Sequence, residues 1–156
     1  GRTATGVRGI SLRDDDEVVS MEILEDGLQI LHVTNKGIGK RTPEDQYRIT
    51  KRGGKGIFTA KVSEDTGYIV SVQAVTGEED IMLITAAGVL IRIPVEGISQ
   101  TGRNTRGVRL IRLQEGEEVA TVAKIDREDE EEELEQDLET PNGEEVNETT
   151  ENDIDE

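Results

Sequence analysis

The sequence contains no cysteine, no tryptophan and a single histidine, His32. Without cysteine there are no disulfides and no thiolate-bound zinc, and one histidine argues against a histidine-based metal centre. The aromatic residues are Tyr47, Phe58 and Tyr68, too few for a platform on which single-stranded nucleic acid stacks. These absences exclude several common kinds of site before any motif is considered.

Long apolar segments are also missing. No run approaches the roughly 18 apolar residues of a membrane span, and no segment has the charged, apolar and small-residue order of a signal peptide. We therefore expect a cytoplasmic protein with no membrane partner. The 156 residues suffice for about one domain.

The net charge of -17 is distributed unevenly along the chain. Residues 126–156 hold 17 acidic groups and one arginine, giving -16, and residues 1–125 hold 18 acidic and 17 basic groups, giving -1. The terminal segment has too few apolar side chains among its carboxylates to form a core. We predict a folded domain over residues 1–125 and a disordered acidic tail over residues 126–156.

The chain repeats itself with a period of about fifty residues. The opening GRTATGVRGISL returns at residue 102 as GRNTRGVRLIRL, with RGGKGIFTAKV at residue 52 as the middle copy. A shift of 51 residues aligns ILHVTNKG at 30 with IMLITAAG at 81. Such a period indicates a repeat architecture, here two complete units and half of a third.

Each unit contains short β-rich runs separated by turn residues. In the first unit they are GVRGISL, EVVSMEIL, LQILHVT and IGKRT, which predict four strands. Repeated four-stranded units are typical of blades in an all-β, propeller-like array. No sustained 3.6-residue periodicity supports the rival helical solenoid. Because two and a half blades cannot close a ring, we expect the end of a longer protein and an unpaired edge on the first blade.

Charge sign follows the repeat. Residues 36–61 hold eight basic groups and residues 92–112 hold five arginines, whereas residues 14–26 and 64–80 hold seven and five acids and no base. Equivalent positions of stacked blades lie at equivalent places on the array. We therefore predict that the basic segments form one positive band and that the acidic turns lie elsewhere.

The stretch TKRGGKGI, residues 50–57, has two interpretations. It fails as a nucleotide-binding P-loop, because Lys55 is followed by glycine with no hydroxyl residue next. Glycines Gly53, Gly54 and Gly56 instead let backbone amides and cations approach phosphates closely. Such contacts position a DNA duplex without recognising its bases.

Three segments together resemble a known family. GRTATGVRGISL, GIGKRTPEDQYRITKRGGKGI and LITAAGVLIRIPVEGISQTGRNTRGVRLIRL, followed by an acidic tail, are similar to the last blades of the C-terminal domain of bacterial DNA gyrase A. The resemblance implies a β-pinwheel, a propeller-like disc whose blades exchange strands. It also implies that duplex DNA wraps around the basic edge, in support of ATP-dependent negative supercoiling by a type II topoisomerase.

The resemblance also implies site residues and partners. TKRGGKG matches six of the seven positions of the family's wrapping motif, with Thr50 in place of glutamine. The implied contacts to the DNA backbone are Arg2, Lys40, Arg41, Lys51, Arg52, Lys55, Arg92, Arg103 and Arg106. Neither a catalytic residue nor a metal ligand is implied in this chain, and ATP and Mg²⁺ are expected elsewhere in the enzyme. The implied partners are duplex DNA, the rest of gyrase A, and gyrase B, in an A2B2 assembly associated with the nucleoid.

Two alternative functions remain at this point. One is that of the related chain of topoisomerase IV, whose more degenerate blades guide decatenation. The other is a protein-binding propeller on whose surface the basic band is incidental.

We expect His32 to be a half-buried structural residue, because it aligns with Leu83 inside a strand.

Overall fold

The structure is a computed structural model that describes residues 1–127. The predicted acidic tail, apart from its first two residues, lies outside the described part. The strands are β1 (Gln29–Thr34), β2 (Ile38–Pro43), β3 (Ile69–Val75), β4 (Asp80–Thr85), β5 (Leu90–Pro94), β6 (Val108–Arg109) and β7 (Val119–Ile125). Short 3₁₀ turns, Glu44–Gln46 and Val95–Gly97, follow β2 and β5.

The strands form two antiparallel sheets. One has the order β3-β1-β2-β6 and the other has the order β5-β4-β7. The hairpins β1–β2 and β4–β5 are copies of one unit, and each turns through a glycine with positive φ, Gly37 at +71° and Gly88 at +84°. Glycine is required there because other residues are strained in the left-handed region. The all-β, blade-like prediction is confirmed.

Each sheet combines strands from different units. Strand β3 of the second unit pairs with β1 of the first, and β7 of the third unit pairs with β4 of the second. Strand β6 of the third unit pairs with β2 of the first. The units are therefore interlocked, because each sheet adds strands of a later unit to a hairpin of an earlier one.

Two predicted strands of the first unit do not form. Residues 6–12 and 17–24 contain no regular strand, and Met21 and Ile23 are 90% and 84% exposed. The repeat equivalent of residues 17–24 is β3, which pairs with the unit before it. The described residues include no unit ahead of the first, so this segment has no sheet to join.

The core lies between the two sheets. The central run of β1 is buried on both faces, as the unbroken apolar pattern ILHV predicts. The buried cluster consists of Leu31, Val33, Val75, Ile81, Leu83, Val95, Ile98, Ile111, Val119 and Val122. Each such side chain contributes about 1.5–3 kcal/mol on burial. Within residues 1–127, no helix has the length and apolarity that a membrane crossing requires.

Candidate nucleic-acid interface

The segment KRGGKG, residues 51–56, forms a loop that we call the lysine loop. It packs on the first run of the preceding unit: the amide of Gly53 donates to Gly9 O at 2.8 Å, and the amide of Ser11 donates to Gly54 O at 2.8 Å. Gly53 and Gly56 both have φ of +74°. The glycines therefore serve a tight turn against a neighbouring chain segment, where a side chain would strain the backbone.

The cations of the lysine loop point to solvent. Lys51, Arg52 and Lys55 are exposed, and none of them forms a hydrogen bond or ion pair with a residue of the described part. Arg2 is likewise exposed and unpaired within residues 1–127. Because none of these four side chains forms an ion pair within residues 1–127, their charges remain available to an anion.

The segment GRNTRG, residues 102–107, is the repeat copy of the lysine loop, and we call it the arginine loop. It packs on the first run of the middle unit. The amide of Lys61 donates to Thr105 O at 3.1 Å, and Arg103 Nη1 donates to Phe58 O at 2.7 Å. Both loops therefore dock on equivalent segments of the preceding unit, and Lys55 and Asn104 line one groove.

The two arginines of the arginine loop have different surroundings. Arg103 is held by Phe58 O and lies over the ring of Tyr47, with 5.9 Å from its guanidinium carbon to the ring centroid. The side chain of Arg106 is 57% exposed and reaches Asp65 at 3.4 Å, a carboxylate that is itself 83% exposed. Exposed pairs of this kind contribute little, so Arg106 keeps most of its capacity to bind another anion.

The basic residues of β2 face the protein. Lys40 is fully buried, and its ammonium donates to two loop carbonyls, Gly102 O and Arg103 O. Arg41 donates to Ile98 O at 2.8 Å and to Glu96 O at 3.0 Å. Neither side chain presents an unengaged charge to solvent, and the ammonium of Lys40 is buried away from the surface that a phosphate would approach.

Arg92 is paired with a carboxylate. Its Nε donates to Asp80 Oδ2 at 2.6 Å, and Arg127 donates to Asp80 Oδ1 at 2.7 Å. The hydrogen bond from Arg127, together with that from Arg92, holds the pKa of Asp80 below its usual value despite desolvation. Arg92 is thus partly neutralised, and Arg127, just beyond the predicted boundary at residue 125, contacts the folded part.

Several exposed cations near the two loops belong to the predicted basic segments but were not among the implied DNA contacts. Lys61 lies beside Lys55 in a groove between the loops, and Arg109 and Arg112 line a second cleft with Arg106. The signal was present in GVRLIRL, where two arginines continue the arginine loop. The basic surface is therefore broader than the loops alone.

The charge separation predicted from the repeat is wrong in one place. The groove that holds Lys55 and Lys61 is also lined by Asp15, Asp16 and Glu17. This acidic turn follows the run on which the lysine loop packs, so docking the loop there brings the turn beside the cations. Among the residues that the structure describes, no group of three or more histidine or acidic side chains is arranged to hold a metal ion.

The fold and the loops define a class: a β-propeller-like repeat domain in which basic loops dock on the preceding unit. A family model described as "DNA gyrase C-terminal domain, beta-propeller" matches residues 1–25, 29–76 and 79–126. The chain belongs to this family. The gyrase A protein of Staphylococcus aureus, in strains MRSA252 and NCTC 8325, is 53% identical over 111 residues, which are 70% of this chain and 12% of the relative. The chain thus spans about an eighth of the length of these relatives.

Solved structures show the same fold. "Structure of DNA gyrase A C-terminal domain" matches with a TM-score of 0.72 and 26% identity, over 77% of this chain and 41% of the other. "Crystal structure of the C-terminal domain of DNA topoisomerase IV" matches with a TM-score of 0.76 and 24% identity, over 86% of this chain and 42% of the other. At that identity the second match supports the fold alone.

Proposed function

We propose that residues 1–125 bind duplex DNA and bend it around the basic loops, as part of a gyrase A protein. The observation that carries the proposal is the repeated docking of the lysine and arginine loops on equivalent segments. It leaves Lys51, Arg52 and Lys55 exposed without partners among the described residues, and Asn104 of the next basic loop lines the same groove as Lys55. Phosphates at successive positions of a curved duplex match such a row of cations.

The proposal extends to the enzyme that contains the chain. The DNA wrapped here would be passed to the cleavage site, in support of ATP-dependent negative supercoiling. The rest of gyrase A, together with gyrase B, would supply the catalytic groups and bind ATP and Mg²⁺, in the cytoplasm with nucleoid DNA as substrate. The 53% identity to gyrase A favours gyrase over topoisomerase IV.

The test is the salt dependence of duplex binding by the complete protein. Removing one lysine or arginine that contacts a phosphate reduces the magnitude of the slope of log affinity against log salt by about 0.9. We expect Lys51→Gln/Arg52→Gln/Lys55→Gln to reduce that slope by about 2 to 3. A matched control is Lys124→Gln, because the ammonium of wild-type Lys124 donates to Ala74 O. The salt slope of this variant is compared with that of Lys55→Gln alone. A flat salt response of the wild type would contradict the proposal and favour a protein-binding surface.

A second measurement distinguishes the two enzymes. Relaxing a plasmid in the presence of the complete protein and gyrase B, without ATP, traps any superhelical turns that the wrap holds. Trapped turns of one sign that the triple variant loses, together with supercoiling in ATP, support gyrase. Efficient decatenation without supercoiling would identify the topoisomerase IV function instead.

A further inference from the structure

A buried ammonium connects the first unit to the arginine loop. The Lys40 Nζ donates to Gly102 O and Arg103 O, both at 2.6 Å, and to Thr105 Oγ1 at 3.0 Å. The whole residue has no exposed surface. An ammonium has three protons to donate, and all three have acceptors in one loop.

Other contacts from β2 reach the same loop region. Thr42 Oγ1 donates to Thr101 O at 3.0 Å, and the amide of Thr101 donates to Arg41 O at 2.8 Å. Thr105 Oγ1 also donates to Gly102 O at 2.9 Å. Strand β2 therefore holds the start of the arginine loop by its backbone and by two side chains, of which Lys40 supplies the charge.

The electrostatic surroundings of Lys40 are defined by three elements. His32 faces it from β1 as its cross-strand partner, the apolar Val72 occupies the matching position on β3, and Arg103 approaches from the loop. Desolvation, with the nearby Arg103 charge, lowers the pKa of Lys40 to about 8. Burial and the Lys40 charge lower the pKa of His32 to about 4. At neutral pH the lysine is therefore charged and the histidine is neutral.

The second unit has apolar residues at the positions that correspond to His32 and Lys40. There the cross-strand pair that corresponds to His32 and Lys40 is Leu83 and Ile91. The β1–β2 and β4–β5 hairpins have the same pairing, so the hairpin itself does not need an ammonium. A buried charge is costly unless it is fully paired, which indicates that Lys40 acts on the loop rather than on its own sheet.

We propose that Lys40 is a positioning residue that holds the arginine loop in the conformation that presents Arg106 to a DNA phosphate. Arg103 has its own attachment at Phe58 O. The side chain of Arg106 pairs, within residues 1–127, with the exposed Asp65 alone, so its placement depends on the loop backbone. Fixing the loop before binding removes an ordering cost at the moment of association. This inference rests on the proposed function, because it requires that the arginine loop contact DNA.

The main variant is His32→Leu/Lys40→Ile, which places the apolar pair of the second unit into the first. Replacing buried polar groups by an apolar pair of suitable shape preserves a fold, so β1 and β2 should keep their protection from hydrogen exchange in the complete protein. Residues 102–106 should exchange several-fold faster. Duplex affinity at 50 mM salt should fall about fivefold, less than the roughly tenfold value of one phosphate contact.

A double-mutant cycle with Arg106→Gln distinguishes positioning from direct contact. If Lys40 acts through Arg106, the loss caused by the apolar pair shrinks to less than twofold in the Arg106→Gln background. A direct contact from Lys40 would give additive losses and would overturn the inference, as would unchanged affinity of the apolar-pair variant. Wild-type protein that fails to bind duplex DNA would instead refute the proposed function.

The pH dependence of duplex binding by the wild-type protein supplies a second measurement, which does not depend on the folding of the apolar-pair variant. Raising the pH from 7 to 9 removes the Lys40 charge, so duplex affinity should fall severalfold, and Arg106→Gln should abolish most of that fall. Acylation of exposed amines should modify Lys51 and Lys55 and leave Lys40 unmodified at pH 7. A pH-independent affinity, or ready acylation of Lys40, would overturn the inference.

Discussion

Acidification should loosen the first sheet through one residue, His32. The ring is fully buried, and neither nitrogen has a hydrogen-bond partner within residues 1–127. Desolvation, with the Lys40 charge across the strand pair, lowers the pKa of His32 from 6.5 to about 4. Protonating this ring places an unpaired charge beside an ammonium in the core. We therefore predict that stability is lost as the pH falls.

The sign and size follow from proton linkage. Between pH 6.5 and about 4 the unfolded chain binds a proton at His32 that the folded chain does not, so unfolding is favoured as the pH falls. The full difference between the pKa values of His32 in the unfolded and folded chains corresponds to about 3 kcal/mol of unfolding free energy, of which about 2 kcal/mol is lost by pH 5. Above pH 6.5 the histidine is neutral in both states and contributes no pH dependence.

Native-state hydrogen exchange, corrected for intrinsic rates, measures this pH-dependent loss of stability in the complete protein. Amides of β1 and β2 should lose about 2 kcal/mol of protection between pH 8 and pH 5. Most of that loss should vanish in His32→Leu, which introduces the residue that the second unit has at Leu83. Carboxylates that also titrate affect both proteins and cancel in the comparison. Equal pH dependence in the two proteins would refute the assigned pKa and the unpaired environment.

Two further predictions concern the packing of Gly39 and the ion pair of Asp80. Gly39→Ala should destabilise the first sheet by about 1–3 kcal/mol, because the added Cβ would lie 2.5 Å from Leu110 Cδ1. The control is Gly97→Ala, which has open space around the added Cβ and should change the melting temperature little. Asp80→Asn should speed amide exchange in β4 and β7 several-fold, because the ionised carboxylate holds Arg127; unchanged exchange would show that the pairing is dispensable.

The local features of the fold could be predicted from the sequence. The glycine turns at Gly37 and Gly88, the β-rich runs of β1, β2, β4 and β5, and the fifty-residue repeat all depend on neighbouring residues or on direct self-similarity. The exposed lysine loop was likewise predictable, because its glycines and cations occupy one short segment. Burial of both faces of β1 followed from its unbroken apolar run.

Only the tertiary structure decided which unit each strand joins and which cations stay exposed. Residues 17–24 resemble β3, yet a strand forms only where a preceding unit offers a sheet edge. Lys40 and Lys51 look equally basic in the sequence, but Lys40 is buried by a loop more than sixty residues away. Pairing and burial depend on contacts distant in sequence, which no short motif encodes.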